Sequence, residues 1–430
     1  MGAWDVVTLL VALGSPAFFV LAAVLGYRYE GAESTAIYIV FSLVIAALGV
    51  WVAAFDLLRH GRSYPVVAWM IGMMPALIAV SFVAQVSGHP GESVAWPMFR
   101  NSLVWAAPAL YMGMYVGRSG RWRSIHDLLD PLMLLLSGGS IRALLDILTR
   151  SWVAGGIGGA TYQTLSYVSA LAFGLNLYLL RSRPSDDVRP FVRSRWYRAA
   201  CLALLPLQLL AAIASGGRGG VVLIGVYLLL ELMRRRSTGG RLRSALVASA
   251  VLTTSLVLLQ LTMPNTLVGA SYDRAFAYLS VGGIDWSGTS GRDVVYSRAL
   301  ALVDERLWLG YGPFGFIAGL TPYVYPHNLV LELLLASGLI GLMAVSAMVL
   351  IMVRRYFVLK HADPTLGGLG VLVTYQVVML MFSGSYLAAA TLWFALGLVV
   401  TSAIPGAPTR VPGTSMIRGK HLRGGAVDPS

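Results

Sequence analysis

One histidine stands where an ionisable side chain could do chemistry. His327 lies in Tyr325-Pro326-His327-Asn328, where a polar stretch gives way to a long apolar run. Pro326 has no backbone donor and suits the first turn of a helix. His327 is therefore expected at the mouth of the span that follows, where an ionisable residue is a functional hypothesis by default. An imidazole there can act as a base near neutral pH. The competing reading is a hydrogen bond at a helix end. His60, His126, His361 and His421 fall in basic loops and His89 lies beside Pro90, so these read as solvated loop residues.

Two arginines share a second pattern. Arg218 sits in Ser215-Gly216-Gly217-Arg218-Gly219-Gly220, and Arg292 in Gly288-Thr289-Ser290-Gly291-Arg292. Glycines let backbone approach a ligand closely and expose amide N–H groups. Helix N-termini and guanidinium forks both favour phosphate. The pair therefore suggests an anionic ligand such as a pyrophosphate. The alternative is a set of loop ion pairs with Asp273, Asp285 or Asp293.

The elements that must position these residues are membrane spans. Of the 430 residues, 57% are hydrophobic and only 12% charged, against about 25% charged in a soluble chain. That excludes a cytosolic enzyme, a secreted disulfide scaffold and a disordered tail protein. Cys201 is the single cysteine, so an intrachain disulfide and a cysteine-based metal site are excluded. Apolar runs lie at roughly 5–27, 34–56, 65–86, 96–117, 157–180, 196–214, 219–233, 241–263, 330–353, 365–385 and 386–404. The net charge of +13 follows from basic loops that belong on the cytoplasmic side, which excludes nucleic acid as the partner it would otherwise suggest. Those loops are 59–62, 118–123, 181–198, 234–243, 354–360 and the tail. They fall on one side only if the chain crosses once more between about 124 and 157. The stretch 127–149, with Asp127, Asp130, Arg142, Asp146 and a Gly138-Gly139 break, is thus read as an irregular twelfth span.

The expected fold is an all-α, polytopic transmembrane bundle of about 12 spans. It forms one membrane domain over 1–404 with both termini cytoplasmic, and a disordered tail over 405–430. The first run lacks a basic start and is read as a retained span. Residues 264–326 form the one long external loop, and long loops are usually functional. A short helix is expected over 292–304, with Ser290 as a possible N-cap. Phosphate-loop, HExxH and paired Cys-His motifs are missing. The run Ser383-Gly384-Ser385 reads as a small-residue break between two spans.

Taken together these features resemble a known family. His327 to Gly341 (HNLVLELLLASGLIG), SGRDVVYSRALALVDERLWLGYGPFGF at 290–316 and SGGRGG at 215–220 are similar to the O-antigen ligase and polymerase family of integral-membrane glycosyltransferases. The order also matches: an Arg opening a span, a loop Arg opening a short helix, a Gly-x-Gly turn, then the His. The specific part covers 215–341. There are departures. Ala336 stands where the family often has an acidic residue, Glu332 lies nearer His327, and Tyr296 replaces a common Trp.

The resemblance implies a metal-independent, cofactor-free transferase. Its donor would be a glycan on undecaprenyl pyrophosphate, at the outer face of the plasma membrane. A ligase passes it to a glycan or lipid acceptor; a polymerase of the same family passes it to the next repeat unit. By carry-over Arg218 and Arg292 hold the pyrophosphate and His327 serves the acceptor hydroxyl, with Asn328, Glu332 and Ser290 in support. A lipid or sugar transporter would place charges along a midplane path in two matching halves; mid-span charges outside 127–149 are few, and matching halves are not evident. A membrane scaffold without chemistry would leave the Gly-Arg and Pro-His placements as accidents of packing.

Overall fold

The computed structural model describes residues 2–18, 32–88, 95–150, 162–182, 194–234, 279–280, 283–284, 292–318 and 325–403. The expected span 241–263, the N-cap candidate Ser290, most of the external loop and the tail 405–430 lie outside these residues. In chain order the helices are α1 (Ala3–Leu13), α2 (Ala32–His60), α3 (Val66–Gly72), α4 (Met74–Gly88), α5 (Ala95–Asn101) and α6 (Ala107–Ser119). They continue with α7 (Trp122–His126), α8 (Leu129–Arg150), α9 (Tyr162–Ser182), α10 (Arg195–Ala214) and α11 (Arg218–Arg234). Last come α12 (Arg292–Glu305), α13 (Gly315–Ala318), α14 (Leu329–Ala362), α15 (Gly367–Phe382) and α16 (Ala390–Thr401). Two residue pairs, Leu279–Ser280 and Gly283–Ile284, form a short antiparallel ribbon. Every other regular element described is helical, as lipid requires of a chain that must satisfy its own backbone.

Among the described residues, 6 helices are long and apolar enough to cross a membrane. One of them is the doubtful stretch, which spans Trp122–Asp146 in that set. The expected break at Gly138-Gly139 does not occur: α8 runs through both glycines. Its polar groups are answered from within the protein. Asp130 accepts from the Tyr197 hydroxyl at 2.8 Å, Gln208 donates to Ser137 at 2.7 Å, and Arg142 pairs with Asp146 one turn on. Glycine and serine are tolerated in membrane helices when such partners exist.

Small residues bring helices together where apolar burial against lipid cannot. The α6–α16 contact is the clearest case. A Cβ on Gly113 or Gly117 would overlap the Phe394 and Leu398 carbonyls, and one on Gly397 would overlap that of Leu110. Thr401 closes the contact by donating to the Met114 carbonyl at 2.9 Å. Exposed Leu58, Val66, Met70 and Leu350 line the outside, a surface that suits a lipid solvent.

The feature that positions the site is a break in α14. Gly338 has φ 63° and ψ −169°, which opens the helix. The segment Leu307–Gly312 lies in the opening and takes up the freed backbone groups. Tyr311 N–H donates to Leu335 O at 2.7 Å and Gly312 N–H to Ala336 O at 2.9 Å. Leu339 N–H donates to Leu307 O at 2.7 Å and Ile340 N–H to Trp308 O at 3.3 Å. These bonds fasten the chain that follows α12 to the helix that follows His327. A Cβ on Gly338 would overlap the Trp308 backbone, and its left-handed φ costs a side-chain-bearing residue about 1–2 kcal/mol. Gly338→Ala should therefore lower the melting temperature in detergent. Gly225→Ala, on an open face of α11, should leave it unchanged or raise it. Equal melting temperatures for the two variants would show that the break is not under this constraint.

Candidate functional site

Arg292 is the first residue of α12, one residue longer at its C-terminus than the helix expected over 292–304. Its Nη2 donates to the Phe382 carbonyl at 2.7 Å. Phe382 ends α15, so its carbonyl has no intrahelical partner, and a guanidinium supplies one. Asp273 and Asp285, and the side chain of Asp293, are not among the described groups.

His327 departs from the expected geometry. Pro326 is not in the first turn of α14, because the helix begins at Leu329 with Asn328 as its N-cap. The Asn328 side chain accepts from the N–H groups of Val330 and Leu331 at 3.0 and 3.1 Å. Asparagine outranks proline as the stop signal here because it answers two orphan donors at once. His327 precedes the cap with φ 55°, the left-handed region that a side chain rarely adopts. Its ring meets Tyr325 edge to face, centroids 4.5 Å apart. Nδ1 is buried and has no hydrogen-bond partner among the described residues. Burial first, and the Arg292 charge second, push the imidazole pKa down from 6.5 to about 4. Arg218 is not among its causes. The ring is therefore neutral at physiological pH.

Tyr325 is fixed in turn. Its buried hydroxyl is hydrogen-bonded to the Gly384 backbone and the Ser383 side chain, and burial raises its pKa. Glu332, expected only as an acidic neighbour, is buried in the first turn of α14. Its carboxylate accepts from the Ser385 hydroxyl and, at 3.3 Å, from the Tyr386 N–H. A cavity of about 10 Å³, room for about one water, lies beside Tyr325, Pro326, Glu332, Phe314 and Phe316.

Arg218 opens α11 and is half-buried. The glycines around it serve a different purpose from the one expected. Cβ atoms on Gly217, Gly219 or Gly220 would overlap Ser166 and Tyr167 of α9. Ser166 also donates to the Ala212 and Gly217 carbonyls at 2.8 and 2.7 Å. The glycines thus admit a neighbouring helix, and the turn is clamped to α9. That helix links the two arginine elements: Tyr167 lies against Gly219 and within reach of the Arg292 charge. Gln163, one turn earlier, accepts from Ser383 at 3.4 Å.

Arg292, His327 and Glu332 are brought together around the Phe382–Tyr386 turn, and the Arg218 turn is joined to them through α9. Such a set can hold an anionic leaving group and take a proton from an incoming hydroxyl. Residues 199–346 match the protein family described as O-Antigen ligase. Over this stretch the chain is similar to the O-antigen ligase family. No curated protein matches the chain. The O-antigen ligase region contains Arg218, Arg292 and His327. It does not contain Gln163, Tyr167 or the Phe382–Tyr386 turn, which complete the surroundings of those residues. Sequence reading missed these groups. The one signal was Gly384 between two serines at a span end.

The histidine environment has a direct readout. In the free protein, the Cε1–H NMR resonance of His327, assigned with His327→Gln, should titrate with a midpoint near 4. Arg292→Gln removes the neighbouring charge, so the midpoint should rise. An ordinary midpoint near 6.5 would contradict the buried, neutral assignment.

Proposed function

We propose that the protein is a membrane glycosyltransferase that moves a glycan from undecaprenyl pyrophosphate onto an acceptor hydroxyl at the outer face of the plasma membrane. The observation that carries the reading is His327 itself. It is neutral and half-buried, its buried Nδ1 has no partner among the described residues, it feels the Arg292 charge, and it lies in the region that matches the O-antigen ligase family. A buried polar atom without a partner needs an explanation, and a substrate hydroxyl supplies one.

In the proposed reaction the acceptor oxygen attacks the anomeric carbon of the donor glycan. The new glycosidic C–O bond forms as the C–O bond to the pyrophosphate breaks. Undecaprenyl pyrophosphate leaves with the electron pair, and the acceptor proton passes to His327. Arg218 and Arg292 hold the departing phosphates. Fixed guanidinium groups in a water-poor site stabilise charge that develops there without reorganising. Asn328 fixes the start of α14 directly after the histidine. The chemistry is the same for a ligase and for a repeat-unit polymerase; they differ in the acceptor, which for a ligase is a glycan or lipid. The basic loops set the orientation, with both termini inside and the site outside.

Transfer of lipid-linked glycan by purified protein in detergent tests the roles. His327→Ala should lower turnover by about 10²–10⁴ while undecaprenyl pyrophosphate still binds. His327→Gln retains a hydrogen bond but not the base, and should be nearly as slow. Arg292→Lys keeps the charge, loses the fork and should cut transfer sharply with normal membrane insertion. Full turnover in His327→Ala would remove the transfer mechanism. Cysteine labelling of intact cells should find position 238 protected and position 285 accessible; the reverse pattern would put Arg218 on the wrong side.

A further inference from the structure

The turn between α15 and α16 reaches Arg292, Tyr325, Glu332 and α9. Phe382 O takes the Arg292 guanidinium, and Ser383 reaches Gln163 of α9. Gly384 and Ser383 hold the Tyr325 hydroxyl, whose ring packs on His327. Ser385 and the Tyr386 N–H hold Glu332. The turn also has hydrogen bonds of its own. Ser385 Oγ also accepts from Leu387 N–H at 3.1 Å, and the Trp393 indole donates to Tyr386 O at 2.7 Å.

We propose that the Phe382–Tyr386 turn sets Arg292 and His327 in register, and that Ser385 and Glu332 are a positioning pair acting through His327. The proposal rests on the glycan-transfer reading above. Glu332 is 6% exposed, and Ser385 is 3% exposed. A carboxylate at such a place is costly unless donors meet it, and an apolar residue would pack there without that demand. Both described donors to its side chain, the Ser385 hydroxyl and the Tyr386 N–H, come from this one turn, which ties the turn to α14. Glu332 N–H donates to Asn328 O at 2.9 Å, and Asn328 directly follows His327. One thread therefore runs from Ser385 through Glu332 and Asn328 to His327. A second runs from Gly384 through Tyr325 to the same ring. A third runs from Phe382 to Arg292. Group placement of this kind matters because a shift of about 1 Å can cost about 10²-fold in rate.

Steady-state transfer by the full-length protein in detergent tests the proposal, with undecaprenyl pyrophosphate as the binding probe. Ser385→Ala should lower kcat by about 10- to 100-fold, with probe affinity changed less than about twofold. In a His327→Gln background Ser385→Ala should cause almost no further loss, because a residue acting through another is non-additive with it. Ser385→Cys, near in size but a weak donor, should fall between Ser and Ala. If Ser385→Ala elutes as misfolded protein, Ser385→Cys and Glu332→Gln carry the same comparison. Normal kcat in Ser385→Ala beside an inactive His327→Ala would overturn the positioning role and leave the transfer reading intact. Losses that multiply in the double variant would also overturn it, since Ser385 would then act on the fold. Normal turnover in His327→Ala would instead remove His327 from the mechanism, and absence of transfer by the unsubstituted protein would remove the transfer reading itself.

Discussion

A helix broken inside a membrane must have its freed N–H and C=O groups answered by protein. Much of the site follows from how this chain meets that demand at Gly338. The partners come from Leu307–Gly312, the stretch between α12 and the histidine. Four backbone bonds replace part of a helical ladder, so the chain that follows α12 is anchored to α14 at this point. Arg292 stands at the start of α12 and His327 just ahead of α14. The clamp at Gly338 shortens the effective chain between them. Residues brought together by a fixed backbone lose less freedom when a ligand arrives.

Around that clamp the site is assembled from parts that are distant in sequence. The O-antigen ligase region supplies Arg218, Arg292 and His327. Helix α9 comes before it and braces the Arg218 turn through Ser166. The Phe382–Tyr386 turn comes after it and takes up Arg292, Tyr325 and Glu332. The charged and polar groups are thus held by a shell of hydrogen bonds, while His327 Nδ1 is left open. A satisfied surround with one open atom is the arrangement expected of a binding or catalytic centre.

The part of this arrangement legible in the sequence was its local part. A glycine-flanked arginine before an apolar period marks a helix start, and α12 and α11 begin at Arg292 and Arg218. Proline before histidine marked the mouth of a span, although Asn328 and not Pro326 starts the helix. What could not be read was tertiary. Gly217, Gly219 and Gly220 look like a ligand-approach loop until Ser166 and Tyr167 are seen against them. Gly138-Gly139 looks like a break until Ser137 and Asp130 are seen paired with Gln208 and Tyr197. Ser383-Gly384-Ser385 looks like a spacer because its partners are 53 residues away, as Glu332 is from Ser385, or farther, as Arg292 is from Phe382.

The central claim is that these elements surround a lipid pyrophosphate. Cryo-EM of the full-length protein with undecaprenyl pyrophosphate added in nanodiscs addresses it most directly. The account predicts diphosphate density within hydrogen-bonding distance of the Arg218 and Arg292 guanidiniums, on the His327 side of α14. Density bound at another face, with both guanidiniums free of it, would contradict the account.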